Sequence, residues 1–187
     1  MSDAVSRFPV TELEDLPADL RERVGAIAEK SGFTPNIFRA LGHRPAELRA
    51  FLDYHDALME REGGLTKAER ELVVVATSGA NHCTYCVVAH GAILRIRAKD
   101  PELADRVSSN PWQVELDERG RAIVDLARDS ALFGEPDLEA ARDAGLTEDE
   151  IWDVGAITAL FAMSNRLAHL TALKPNAEFY LMGRQKR

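Results

Sequence analysis

Apolar residues recur at helical spacing along almost the whole chain, and the alternation that marks a strand is nearly absent, so the chain is constrained to an all-α fold. The constraint is sharpest where a capping box precedes a long apolar run. Thr66 with Glu69, and Thr147 with Glu150, each set a hydroxyl three residues before a carboxylate, which satisfies the orphan amides of a helix start. The first box predicts a helix from Lys67 to about Gly79. Its segment Leu72-Val73-Val74-Val75-Ala76 alone reads as strand, but the cap and the acidic first turn argue for a helix buried on most sides. The second box predicts a helix to about Leu170.

The remaining punctuation fits one helical domain over residues 1–187. Pro17 opens a helix to about Lys30, with Leu20, Val24, Ile27 and Ala28 on one stripe and Ser31-Gly32 at its end. Asn36 is read as the cap of a short helix, Ile37 to Leu41. Pro45 opens a helix that Gly63-Gly64 stops. A helix begins near Cys83 and runs to about Ala98, closing a hairpin over residues 65–98. Pro101 to Val107 is read as a short helix in a polar connection. A C-terminal helical half covers about 117–183: Asp117 to Ala131, Asp137 to Ala144, the helix after Thr147, and a last short helix from Pro175 through Met182. The tail, Gly183 to Arg187, is expected to fray. Leu65-Thr66-Lys67-Ala68-Glu69 echoes Leu146-Thr147-Glu148-Asp149-Glu150, which suggests an internal repeat with a degenerate second copy. In that register Ser164 stands opposite Cys83 and Leu167 opposite Cys86.

Charge and composition narrow the function. At 187 residues and 45% hydrophobic, the chain can bury a core without disulfide staples. A net charge of -8 disfavours nucleic acid and anionic lipid as partners. No apolar run reaches the ~18 residues of a membrane span, and Met1 to Asp15 lacks the apolar core of a secretory signal. The expected location is cytoplasmic. In that reducing compartment, two cysteines three residues apart read as catalytic or metal-binding.

Three features of the hairpin point to thiol chemistry. Cys83-Thr84-Tyr85-Cys86 lies at a helix start, where free amides and the helix dipole favour a thiolate. His90 is four residues beyond Cys86, on the same face, where an imidazole can take a thiol proton. Glu71 lies eight residues before Gly79, ~12 Å along its helix, and His90 seven after Cys83, ~10 Å along the next. In an antiparallel hairpin the carboxylate therefore meets the imidazole and raises its basicity. Cys86, expected to be held anionic by the helix start and by His90 one turn onward, is assigned as the attacking thiol that becomes a sulfenic acid on meeting a peroxide. Cys83 is assigned as proton donor and as the resolving thiol that forms a disulfide with it. An external dithiol then reduces the pair. His82, Tyr85 and Asn81 are candidate pocket residues, His82 as either a cap or a pocket wall.

The run Glu71, Cys83-x-x-Cys86, His90 resembles the alkyl hydroperoxidase D-like branch of the carboxymuconolactone decarboxylase superfamily, and the surrounding text resembles its peroxidase-related subgroup. Matching pieces are Gly32-Phe33-Thr34-Pro35-Asn36, Leu65 to Glu71, Ser78-Gly79-Ala80-Asn81, Asp143-Ala144-Gly145-Leu146 and Asn165-Arg166-Leu167-Ala168. The resemblance implies an all-helical fold, a homo-oligomer, no bound cofactor, and hydroperoxide reduction by a dithiol partner such as a lipoyl group or thioredoxin-like protein. Glu71, Cys83, Cys86 and His90 correspond to its relay and redox pair. One departure is Tyr85, where the well-studied members carry histidine.

Rival readings remain open at this stage. Cys83, Cys86, His90 and His82 form a zinc-like set, but no second cysteine pair supports it. A thiol switch would form the same disulfide once rather than cycle. Decarboxylase-type lactone chemistry would need no dithiol. His55, His169, Trp112 and Trp152 read as core or interface residues.

Overall fold

A computed structural model describes residues 4–184, and no strand occurs among them. The helices are α1 (Ala18–Ser31), α2 (Asn36–Leu41), α3 (Pro45–Met59), α4 (Lys67–Ala80), α5 (Thr84–Ala98), α6 (Leu103–Ser109), α7 (Glu118–Ala131), α8 (Leu138–Asp143) and α9 (Glu148–Thr171). Short 3₁₀ turns occupy Leu13–Asp15, Pro111–Gln113 and Ala177–Tyr180.

Both capping boxes form. Thr66 accepts from the Glu69 amide while Glu69 accepts from that of Thr66, and Thr147 and Glu150 do the same. Arg119 of α7 grips both carboxylates, at 2.6 Å to Glu69 and 2.5 Å to Glu150, and so ties the two helix starts together. The apolar run of α4 is helical because it is central: α4 packs against α5, α6, α7 and α9. Val73, Val74 and Val75 are fully buried among Leu94, Ile123, Val124, Val154 and Ile157. The motif hairpin is therefore covered within the chain, whereas the outer side of α9 exposes Trp152, Met163 and Leu170. Trp112 is likewise exposed, stacked under the Arg128 guanidinium. Helices α1 and α3 share a smaller core of Leu20, Val24, Leu48 and Leu52.

Two local expectations differ from the structure. Asn36 is the first residue of α2 rather than its cap; its buried side chain donates to the Lys174 carbonyl at 2.9 Å, pinning α2 to the segment after α9. The segment after Pro175 makes only one 3₁₀ turn, held because the buried Arg95 donates to the Phe179 and Met182 carbonyls. In the tail Arg184 pairs with Asp105, while Gln185 to Arg187 lie outside the described residues.

Candidate active site

The site is made where α4 stops. His82 takes a left-handed conformation, φ 54°. Its amide donates to the Gly79 carbonyl, and that of Cys83 donates to the Ser78 carbonyl at 2.9 Å. These two bonds form a Schellman ending with histidine at the position usually held by glycine. Gly79 is required for another reason: a Cβ there would sit 3.0 Å from the Ser108 Cα of α6. The turn delivers Cys83 as the N-cap of α5, with Cys86 in its first turn. Of the pocket candidates, His82 is thus an exposed turn residue. Tyr85 is buried, and its hydroxyl accepts from the Ile37 amide at 3.0 Å, fastening α5 to α2. Burial raises its phenol above the usual range.

Glu71 and His90 meet across the hairpin as their depths predict, with His90 Nδ1 2.8 Å from Glu71 Oε2. An ionised carboxylate only accepts, so Nδ1 carries the proton and Nε2 is left as the acceptor. The imidazole packs edge-to-face with Phe161 of α9, centroids 4.6 Å apart. Glu71 is buried inside α4, so it is an orienting partner for the ring and not a solvated-face glutamate.

The two cysteines are free thiols, 5% and 1% exposed, and each shifts the acidity of the other. This is the reduced pair; a bond between the sulfurs, ~2.05 Å long, needs the first turn of α5 to adjust. Their acidities reverse the sequence expectation. Cys83 falls from 9.0 to about 7, chiefly because the Cys86 thiol donates to it, helped by the Asn165 amide and the backbone amides of Cys86 and Tyr85. Cys86 is raised well above 9.0 by that donated hydrogen bond, by burial and by the neighbouring Cys83 charge. The helix start serves the sulfur at its very edge, so the resting negative charge belongs to Cys83.

Two residues from α9 were not singled out as site residues from sequence. Ser164 and Asn165 reach the Cys86 sulfur, and each favours its anionic form. Asn165 also accepts from Asn81 at 3.0 Å and donates to Ser78 Oγ at 3.1 Å, so one amide joins both ends of the turn to the thiols. Asn81 is therefore part of the site through Asn165. Among the described residues, no group of three or more His, Cys, Asp or Glu side chains is placed to hold a metal ion.

The same arrangement has relatives. Residues 45–110, from α3 through α6, match the carboxymuconolactone decarboxylase family. The alkylhydroperoxidase AhpD core, a peroxidase-related protein from Ralstonia eutropha JMP134, is 50% identical over all of both chains, with a TM-score of 0.95. The chain belongs to the carboxymuconolactone decarboxylase family. Its alkyl hydroperoxidase D-like form extends to a peroxidase-related protein from Silicibacter sp. TM1040, 34% identical over 97% of each chain, TM-score 0.87. The family fold also reaches a cysteine-to-alanine form of the debrominase Bmp8 in complex with 2,3,4-tribromopyrrole, at 16% identity over 96% of this chain and 95% of that one, TM-score 0.78. That likeness is one of fold, so the fold leaves the reaction to the site. No curated protein matches the chain.

Proposed function

We propose that the chain is a thiol peroxidase that reduces hydrogen peroxide or organic hydroperoxides at Cys83 and Cys86 and is recharged by an external dithiol. The observation that carries this reading is the His90–Glu71 pair, an imidazole backed by a buried carboxylate at 2.8 Å, one turn along α5 from the buried cysteines at its start. The likeness to peroxidase-related proteins supports it.

In this reading Cys86 attacks. Its base lies one turn away, and general-base help of ~10²–10⁴ offsets its high pKa. Cys83, with its sulfur engaged by amides and by the Cys86 thiol, is the poorer nucleophile for its charge. His90 Nε2 takes the Cys86 proton as the sulfur bonds to the terminal peroxide oxygen and the O–O bond breaks. Cys86 is oxidised to a sulfenic acid, and the departing alkoxide takes the proton from His90. That role passes to His90 because Cys83 is already anionic at rest. The Cys83 thiolate then attacks the sulfenic sulfur, forms the disulfide and expels hydroxide, which a solvent proton converts to water. A lipoyl-type or thioredoxin-like dithiol returns the pair to its reduced form. The cycle suits a reducing, cytoplasmic setting, and the exposed Trp152, Met163 and Leu170 favour assembly of several copies.

The test is to expose single-cysteine variants to cumene hydroperoxide or hydrogen peroxide, with intact mass as readout. Cys83→Ser is expected to accumulate one added oxygen at Cys86, and Cys86→Ser to consume no peroxide. Oxygen added to Cys83 in Cys86→Ser would move the attack to the resting thiolate. Repeated turnover of the wild type with a dithiol separates the enzyme from a switch that oxidises once.

A further inference from the structure

We infer that the approach to Cys86 runs between α3 and α5, and that His55 sets its width. The route stands on geometry alone, whereas its use by a peroxide rests on the peroxidase reading. Cys86, His90, Ile93 and Arg97 recur at helical spacing along one side of α5. That side faces α3, because Arg97 comes within 3.9 Å of Glu60, the C-cap of α3. Counting back from this pair, His55 lies ~8 Å along α3 and His90 ~10 Å along α5. Phe161 of α9 packs against both imidazoles, edge-to-face with each, its centroid 4.6 Å from that of His90 and 6.3 Å from that of His55. The two histidines therefore stand at one depth as opposite walls over a phenylalanine floor.

Exposure falls in order along this line. The His55 side chain is 27% exposed, that of His90 16% and that of Glu71 6%, while Cys86 is 1% exposed. Solvent thus reaches the relay first at His90, one turn from Cys86. Elsewhere the thiols are covered: Tyr85 is fastened to α2, and Ser164 and Asn165 of α9 are buried. His55 is a fixed wall. Its Nδ1 lies 3.0 Å from Asp56, which Arg23 of α1 holds at 2.8 Å, and Phe51 lies beside its ring, centroids 6.1 Å apart. An ionised carboxylate only accepts, so His55, like His90, keeps Nε2 as an acceptor, and both walls offer the same group to an incoming O–H.

The test labels Cys86 with iodoacetamide as the single thiol of a Cys83→Ser parent, at fixed pH, with intact mass as readout. His55→Trp, which fills the gap, is expected to slow labelling by ~10-fold or more, and His55→Ala to speed it. Circular dichroism checks that both variants fold. In the same variants, oxidation of Cys86 by cumene hydroperoxide is expected to change more than oxidation by the smaller hydrogen peroxide. Labelling that stays at the parental rate in both variants, moves the same way in both, or fails in the parent would overturn the route. A parent that iodoacetamide labels but neither peroxide oxidises would instead overturn the peroxidase reading, and the labelling rates would still decide the route.

Discussion

Helices α4 and α9 begin with matching capping boxes held by one arginine, yet α4 turns back after 14 residues whereas α9 runs on for 24. In the register set by the boxes, Ser78-Gly79-Ala80-Asn81-His82 stands opposite Ala159-Leu160-Phe161-Ala162-Met163. The first stretch supplies a glycine that admits α6 and a histidine that accepts a left-handed conformation. The second supplies residues of high helix propensity, and Phe161 and Leu160 bury themselves in the core. The echo is therefore one of helix starts, and the hairpin has no second copy. The consequence is chemical. Breaking α4 creates a fresh helix N-terminus for Cys83, and leaving α9 unbroken lets it cross that break and bring Ser164 and Asn165 to the sulfurs.

If the hairpin holds the chemistry and α9 supports it, substitutions in the two should differ in kind. The largest effect is expected in the hairpin: His90→Ala or Glu71→Gln should slow peroxide reduction by ~10²–10⁴ with folding retained, as steady-state kinetics beside circular dichroism will show. On α9, Asn165→Leu should act mainly on stability. It strips Asn81 and Ser78 of a buried partner, at a cost of ~1–3 kcal/mol in urea denaturation. It should also move the acidities of both thiols upward, since the Asn165 amide lowers each. The smallest effect belongs to the turn. His82→Gly should stabilise the protein by ~0.5 kcal/mol, because the left-handed conformation costs histidine more than glycine, and should leave turnover unchanged. A large loss of turnover in His82→Gly would give that imidazole a part in the proton relay.

The sequence was most legible where a local rule applies. The capping boxes mark both long helices, and helical rise alone brought Glu71 to the depth of His90, where the 2.8 Å hydrogen bond is found. Spacing was enough because the hairpin is tight and its partners lie within twenty residues. Asn165 lies some eighty residues from the thiols, and no local pattern links it to them. The register that sets Ser164 opposite Cys83 carries no proximity; the unbroken course of α9 brings Ser164 to Cys86 instead. The acidity order was misjudged for a similar reason. Spacing pairs Cys86 with a base, but it says nothing about which sulfur donates to the other, how deeply each is buried, or which one the helix amides reach. Asn36 looked like a cap because a cap is the local use of an asparagine before an apolar run. Its real partner is the Lys174 carbonyl, far along the chain.

The proposed chemistry starts from one negative charge on Cys83 beside a protonated Cys86. Thiolate absorbance of the reduced protein, followed against pH, tests it directly. One thiolate should appear as pH rises through about 7, because ionisation at Cys83 is the low step. In Cys86→Ala that midpoint should climb towards the ordinary thiol range, since the donated hydrogen bond that chiefly lowers it is gone. A wild-type titration with no step below about 8.5, or a midpoint indifferent to the loss of Cys86, would contradict the account.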